Sequence, residues 1–126
     1  MQIGGLAGSA MNAFGVEMLV QANNIANINT PEFQAQTATL MSGPWDRGVL
    51  VGSIYNDVTP GPPMPGLVSI SENGREVTGP GYIEGSNTDI GREFVHMIAA
   101  QRGYEANAAM IRTQDDVTGM LLDMKA

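Results

Sequence analysis

The sequence predicts an α+β fold with a long helix at each end of the chain and a small β-rich segment between them. Apolar residues recur at helical spacing near both ends, whereas residues 32–85 contain 9 of the 16 glycines and 6 of the 7 prolines. The composition changes at about Pro31 and again at about Ser86. A chain of 126 residues fits one domain with a modest core.

The N-terminal helix is predicted over residues 3–28 by an apolar stripe that only Gln21 interrupts. Pro31 lacks a backbone N–H and disfavours helix at Thr30, so the helix should end by about Ile28 or Asn29. The opposite side is also apolar, and we expect another subunit to cover it. The stripe contains Ile3, Ala7, Ala10, Met11, Phe14, Met18, Ile25 and Ile28, and the opposite side contains Ala13, Val16, Leu19 and Val20.

The C-terminal helix is predicted from about Asn87 to Met124, with Ser86 or Asn87 as the N-terminal cap and Asp89 in the first turn. Alternating spacings of four and three residues define a heptad seam, and a second apolar row runs along the opposite flank. One partner would therefore not cover this helix. The seam contains Ile90, Phe94, Met97, Gln101, Tyr104, Ala108, Ile111, Asp115, Thr118 and Leu122, and the second row contains Val95, Ala99, Ala106, Met110, Val117, Leu121 and Met124.

The middle segment should consist of short strands and turns. Apolar runs at 49–55 and 67–70 predict strands, and Asn73-Gly74 predicts a hairpin turn because both residues tolerate positive φ. The run "TPGPPMPG" at 59–66 is predicted to be extended without regular hydrogen bonding.

Composition excludes several classes of function. The net charge is −7 and Lys and Arg do not cluster, so neither nucleic acid nor an anionic membrane is an expected partner. The chain has no cysteine, which excludes disulfides and thiolate metal sites. The first 20 residues carry no Lys or Arg, and glycines, Asn12 and Glu17 interrupt their apolar residues, so we expect neither a signal peptide nor membrane insertion.

The sequence predicts no catalytic residue, cofactor site or metal site. His96 is the only histidine and has no carboxylate one turn after it, which favours a structural or surface role. Asp115 and Asp116 diverge by roughly 100° on a helix and do not form a pair of metal ligands. Gly4, Gly5 and Gly8 follow no strand, so they do not indicate a nucleotide-binding loop.

Four asparagines occupy the seven positions from 23 to 29, at the end of the first helix. Either Asn27 or Asn29 is explained as a helix cap. Asn23, Asn24 and Asn27 lie together on the side away from Ile25, where side-chain amides can satisfy the backbone of an adjacent loop or chain. The pattern therefore predicts a polar ridge at an interface.

The segments "ANNIANINTPEF" (22–33) and "GYIEGSNTDIGREFVHMIAAQRGYEANAAMIRTQDDVTGMLLDM" (81–124) resemble the N-terminal and C-terminal signatures of the bacterial flagellar rod and hook protein family. The resemblance implies an axial structural protein without enzymatic activity, exported by the flagellar type III apparatus with its N-terminus uncleaved. It also implies that the two helices pair as an antiparallel-type coiled coil inside a tube of subunits, with the β-rich middle outside. Residues 1–30 and 86–126 would then form one helical domain, and residues 31–85 a β-rich middle segment.

Three features bear on the subtype. The family usually has Gly, Tyr and a basic residue where this chain has Glu32, Phe33 and Gln34, so the turn should differ locally. The middle segment is short, which resembles a compact, proximal-rod protein. The C-terminal segment is similar to the endings of distal-rod and hook members.

We predict that residues 3–28 pack against residues 90–122 within one subunit and that the remaining apolar flanks drive assembly. The main helix contacts would be Phe14, Met18, Ile25, Phe94, Met97, Tyr104 and Ile111, with Gln101, Asp115 and Thr118 restricting register. The predicted partners are further copies, other rod and hook subunits and the export apparatus. The predicted assembly residues are Phe14, Met18, Asn23, Asn24, Ile25, Asn27, Phe94, Met97, Gln101, Tyr104, Ile111 and Leu122.

Two other classes of protein fit parts of the sequence pattern. A coiled-coil scaffold or adaptor unrelated to flagella would use the same helices to form a small closed oligomer. A small secreted enzyme or ligand-binding domain would need a concave polar site in the Gly/Pro-rich middle, with an acid of perturbed pKa.

Overall fold

A computed structural model describes residues 3–125 and confirms the α+β class, with two long helices flanking a β-rich middle. Residues 1, 2 and 126, which the predicted helical domain includes, lie outside the described residues. The elements are α1 (Ile3–Ala26), β1 (Gln36–Ser42), a 3-10 turn (Pro44–Asp46), β2 (Val49–Asn56), β3 (Pro63–Glu72), β4 (Arg75–Glu84) and α2 (Ile90–Lys125).

Both helices are slightly shorter at the junction with the middle segment than predicted. α1 ends at Ala26 and continues as turns through residue 30, before Pro31. α2 begins at Ile90, and Asp89 is its cap because the Arg92 N–H donates to Asp89 Oδ1 at 3.1 Å. The prediction that Ser86 or Asn87 caps α2 was wrong.

The two helices pack along each other through pairs of contacts in opposite sequence order. Asn24 contacts Glu93, the Phe14 ring lies on Gly103, and Gly4 lies against Gln114. A Cβ on Gly103 would come within 2.7 Å of Phe14 Cζ, so the glycine is what admits the ring. Small side chains complete this close approach, and they include Ala7, Ala10 and Ala100, all buried.

In the N-terminal part of α2, the residues that pack against α1 lie one position before the predicted seam residues. Phe94 is 48% exposed, whereas Glu93 is 4% exposed. Ala100 likewise replaces Gln101, while Met97 and Ile111 are half-buried as expected. Hydrophobicity favours Phe over Glu at a seam, but here the carboxylate of Glu93 has a buried hydrogen-bond donor in Asn24, which offsets the cost of burying it.

The β1–β2 hairpin covers the side of α1 that was predicted to need another subunit. Ala13 and Val20 are buried, and the Val49 N–H donates to Ser9 Oγ at 3.1 Å. A hairpin of the same chain therefore supplies part of the cover of this face, and cover by another subunit stays a prediction for the part that is left exposed. Leu19 stays 71% exposed beside it.

β1 and β2 form one antiparallel sheet, and β3 and β4 form another. The β3–β4 turn is Asn73-Gly74 with φ of 53° and 75°, as predicted. Pro63 to Gly66, predicted to be unpaired, instead pair with β4. Every strand of a two-stranded sheet is an edge strand, and an edge tolerates proline because half of its N–H groups point away from the partner strand.

By length and composition α1 could cross a membrane, although its glycines and polar residues had argued against this. The same apolar character fits a helix that is covered on two sides, as α1 is by α2 and by the β1–β2 hairpin. The absence of membrane insertion thus stays a prediction.

Candidate functional site

The asparagine cluster lies where α1, β1 and α2 meet, and Asn24 is its centre. Asn24 is fully buried. Its Oδ1 accepts from the Gln36 N–H at 2.8 Å and its Nδ2 donates to the Gln36 carbonyl at 2.7 Å, so the amide pairs with the start of β1 as a neighbouring strand would. The same Nδ2 donates to Glu93 Oε2 at 3.0 Å. One side chain therefore ties three elements together.

The other two members of the ridge have local roles. Asn27 Nδ2 donates to the Asn23 carbonyl at 2.9 Å, and Asn27 Oδ1 accepts from the Thr30 hydroxyl at 3.0 Å. Asn23 Nδ2 reaches Gln36 Oε1 at 3.4 Å. Asn27 and Thr30 thus close the end of α1.

Asn87 forms a second centre that the sequence analysis missed. Its Oδ1 accepts from the Ala35 N–H at 2.7 Å, and its Nδ2 donates to the carbonyls of Asp57 and Thr59, both at 2.7 Å. The residue binds both ends of the β1–β2 hairpin, and the linker that follows it, to the entry of α2. The only sequence signal was an asparagine just before a helix, which has a simpler explanation as a cap.

Arg92 connects the two centres electrostatically. Its Nη2 is 3.9 Å from Asp57 Oδ2, and its Nε is 3.9 Å from Glu93 Oε1. Hydrogen bonds from the Thr59 hydroxyl and backbone N–H lower the pKa of Asp57; desolvation opposes them, and Arg92 adds a smaller lowering effect.

Beside Asn24 lies a partly open cavity of about 460 Å³ between the two helices and the β1–β2 hairpin. Burial raises the pKa of Glu17 in this cavity, and the nearby His96 opposes the rise. Gln21 is 8% exposed, and its Oε1 has no hydrogen-bond donor among residues 3–125. The lining residues are Phe14, Glu17, Val20, Gln21, Gln36, Thr37, Ala38, Tyr55, Arg92, Glu93, His96, Ala99 and Ala100.

The remaining predicted residues do not converge on one site. Met18 and Ile25 are half-buried, and Gln101 Nε2 donates to Glu105 on the surface of α2 at 2.9 Å. Tyr104 lines a shallow apolar depression on the far side of the helix pair with Met11, Val16 and Leu19. Among residues 3–125, no three His, Cys, Asp or Glu side chains come together as metal ligands.

Many apolar side chains remain exposed on the outside of the helices. The last part of α2 extends beyond the contact of Gly4 with Gln114, and its apolar side chains are exposed. Such a surface is unusual on an isolated small domain and typical of an interface. The exposed side chains are Leu19, Val95, Ile98, Met110, Val117, Met120, Leu121, Leu122 and Met124.

Two family models match the ends of the chain. The model for flagella basal body rod proteins matches residues 6–34, and the model for the C-terminal part of flagellar basal body rod FlgEFG proteins matches residues 80–124. These segments contain most of α1 and its terminal turn, and nearly all of α2 with its cap. Together they cover more than half of the chain, and they are the segments that pack together.

Known relatives match either the ends or most of the length. The flagellar hook protein FlgE of Escherichia coli is 44% identical over 45 residues, 36% of this chain and 11% of FlgE. The flagellar basal-body rod protein FlgG of Bacillus subtilis is 42% identical over 45 residues, 36% of this chain and 17% of FlgG. The flagellar basal-body rod protein FlgC of Yersinia enterocolitica is 29% identical over 118 residues, 86% of this chain and 84% of FlgC.

The paired terminal helices and both family signatures define a class of structural protein found in the axial parts of bacterial flagella. The chain belongs to the flagellar basal-body rod and hook protein family. Its match spans only about a tenth of the hook protein's length but most of the length of FlgC.

Proposed function

We propose that this protein is a structural subunit of the bacterial flagellar basal-body rod, and that it assembles into an axial tube through its terminal helices. The observation that carries the proposal is the arrangement of α1 and α2. The two family-matching segments pack together along one side and leave apolar side chains exposed on the other. Burying a fully exposed leucine contributes on the order of 1.5–3 kcal/mol, so several such residues can drive association.

The helices would pair as an antiparallel coiled coil that forms one domain from residues 1–30 and 86–126. The opposite sequence order of the contacts at Asn24, Phe14 and Gly4 supports this arrangement. In α2 the buried and half-buried positions 93, 97, 100, 103, 107, 111 and 114 follow each other at three or four residues, which supports it as well. Residues 31–85 would form the outer β-rich segment.

The predicted assembly residues divide into two groups in this proposal. Asn24 and Phe14 would act indirectly, because they hold the helix pair in the shape that is assembled. Leu122 and Phe94 would act directly, because their side chains are exposed and can meet a neighbouring subunit. This division makes the choice between intrachain and interchain roles testable residue by residue.

We infer no enzymatic activity for the chain. The family is structural, and the polar groups at the helix junction are mostly paired with one another or with backbone. The protein would act in the basal body with other rod and hook subunits, as a compact member comparable in length to FlgC. Export through the flagellar apparatus without a cleaved leader is part of this proposal.

Deletion of the gene, followed by electron microscopy of purified basal bodies, tests the function. We expect rods to be missing or truncated and to be restored by the wild-type gene. Leu19→Asp and Leu67→Asp form a matched pair, since the residues are 71% and 73% exposed on α1 and β3. Leu19→Asp should fold as a monomer but fail to enter rods, whereas Leu67→Asp should enter them.

The alternative function is a scaffold that closes into a small oligomer. Sedimentation of the purified protein at increasing concentration separates the two, because a closed oligomer reaches a fixed mass while an open assembly continues to grow. Complete rods in the deletion strain, or a closed oligomer that never enters basal bodies, would contradict the rod proposal.

A further inference from the structure

The cavity beside Asn24 has the properties of a binding site rather than of a packing defect. Its volume of about 460 Å³ is within the range of roughly 300–1,000 Å³ typical of ligand sites, and it is open on one side. Gln21 is more than nine-tenths buried and lines the cavity, yet its Oε1 has no donor among residues 3–125. A buried acceptor without a partner is costly, so its retention indicates that a donor arrives from outside.

The charges around the cavity indicate the kind of donor. Glu17 and Glu93 line it, and the Asp57 carboxylate lies 3.9 Å from Arg92, the only guanidinium in the lining. The described lining therefore carries two carboxylates and one guanidinium. This excess of negative charge favours a cation and disfavours phosphate or carboxylate.

We propose that this cavity is a socket for a basic side chain, a guanidinium or an ammonium group, presented by a neighbouring subunit of the assembly. The group would donate hydrogen bonds to Gln21 Oε1 and to the Glu17 carboxylate. The source of the side chain rests on the proposed function, because an assembled rod would hold other subunits against the chain. An apolar side chain would leave Gln21 unpaired, and a neutral donor would leave the carboxylates uncompensated.

The desolvated state of Glu17 agrees with this assignment. Burial raises its pKa in the free chain, which means that its charge lacks full compensation there. A cation beside it would stabilise the carboxylate and reverse the shift. Glu93, by contrast, already accepts a hydrogen bond from Asn24 at 3.0 Å and would contribute mainly its charge.

Two substitutions separate a binding role from a structural one. Gln21→Met keeps the approximate size of the side chain but removes the unpaired acceptor, so the isolated chain should be as stable as the wild type or more stable. Gln114→Met is the matched control, because Gln114 Oε1 is also buried without a donor among residues 3–125 but lies against Gly4, away from the socket. Only Gln21→Met should weaken binding.

The test is an NMR titration of the purified chain with N-acetylarginine amide, with N-acetylcitrulline amide as the uncharged isostere. We expect saturable shifts of backbone amides in residues 17–21 and 93–100 with the arginine compound. Citrulline, Gln21→Met and Glu17→Gln should each weaken binding by about tenfold, the loss expected for one charge-assisted hydrogen bond. No saturable binding, equal binding of citrulline, or an equal effect of Gln114→Met would overturn the socket.

Arginine binding by the purified chain and its presence in basal bodies are measured separately, so the socket and the rod function can fail independently. If the wild-type chain builds rods but does not bind the arginine compound, the socket is wrong and the rod function stands. If the chain binds arginine as expected but is absent from basal bodies, the rod function is wrong and the basic group comes from a partner outside the rod.

Discussion

The two ends of α2 differ in how they are covered. At the N-terminal end, Glu93 and Ala100 are buried against α1, and Asn24 bonds Glu93 and the backbone of β1. At the C-terminal end, Leu121, Leu122 and Met124 are all more than half exposed. One end of the helix is therefore partly buried by its own chain, whereas the other presents apolar side chains that we propose a neighbouring subunit covers.

The largest effect is expected from Asn24, since it serves three elements. Asn24→Ala would leave the Gln36 N–H and carbonyl and the Glu93 carboxylate without their buried partner. We expect a loss of about 3–5 kcal/mol in the free energy of unfolding. Urea denaturation followed by circular dichroism measures it. Asn23→Ala should cost less than about 1 kcal/mol, and equal losses for the two variants would contradict a centre at Asn24.

A glycine pair on α2 tests whether the close approach of the two helices is limited to the part of α2 that lies beside α1. Gly103→Ala places a methyl group against the Phe14 ring and should destabilise by about 1–3 kcal/mol. Gly119→Ala meets no atom within 4 Å and should stabilise by about 0.5–1 kcal/mol through helix propensity. Thermal melting of both variants decides the point, and two shifts of the same sign would show that the helices pack differently.

Phe94 tests the displaced seam. If Phe94 lay in the seam, Phe94→Asp would abolish helix pairing. Because Phe94 is half-exposed, we expect the helix pair to be retained and the free energy of unfolding to fall by less than about 1.5 kcal/mol. Assembly into rods should still fail, because Phe94 then belongs to the outer surface. Complete unfolding of Phe94→Asp, measured by near-ultraviolet circular dichroism, would show that Phe94 lies in the seam as the sequence predicts.

Two acids with opposite shifts predict the pH dependence of the helix junction. The lowered pKa of Asp57 contributes stability that is present above pH 3.8, its ordinary pKa, and is lost as the pH falls through the folded value. The raised pKa of Glu17 has the opposite sign, so stability declines as the pH rises from 4.5 through the folded value. Above pH 4.5, the urea midpoint of Glu17→Gln should decline less with rising pH than that of the wild-type chain. An unchanged profile would show that Glu17 is not desolvated.

The features that the sequence predicted correctly are those fixed by local chemistry. Asn73-Gly74 specifies its turn because both residues accept positive φ, and Pro31 limits how far α1 can extend. The alternation of apolar residues likewise predicted two long helices and the strands between them. Neighbouring residues decide each of these features, so no knowledge of the tertiary partner was needed.

The features that the sequence did not predict depend on distant partners. Glu93 is buried in place of Phe94 because Asn24, 69 residues earlier, supplies a donor. Asn87 serves three backbone groups at the ends of the β1–β2 hairpin and in the linker after it instead of capping the next helix. The cover of α1 by the β1–β2 hairpin also required knowing where the hairpin docks. In each case a side chain had two reasonable roles and the fold selected between them.

Amide hydrogen exchange along α2, in the free chain and in assembled rods, tests the central claim most directly. In the free chain we expect slow exchange over residues 93–107 and fast exchange over residues 117–125, because only the first part is covered. In rods both parts should exchange slowly. Equal protection of both parts in the free chain, or fast exchange at residues 117–125 in rods, would contradict the claim that neighbouring subunits complete the C-terminal end of α2.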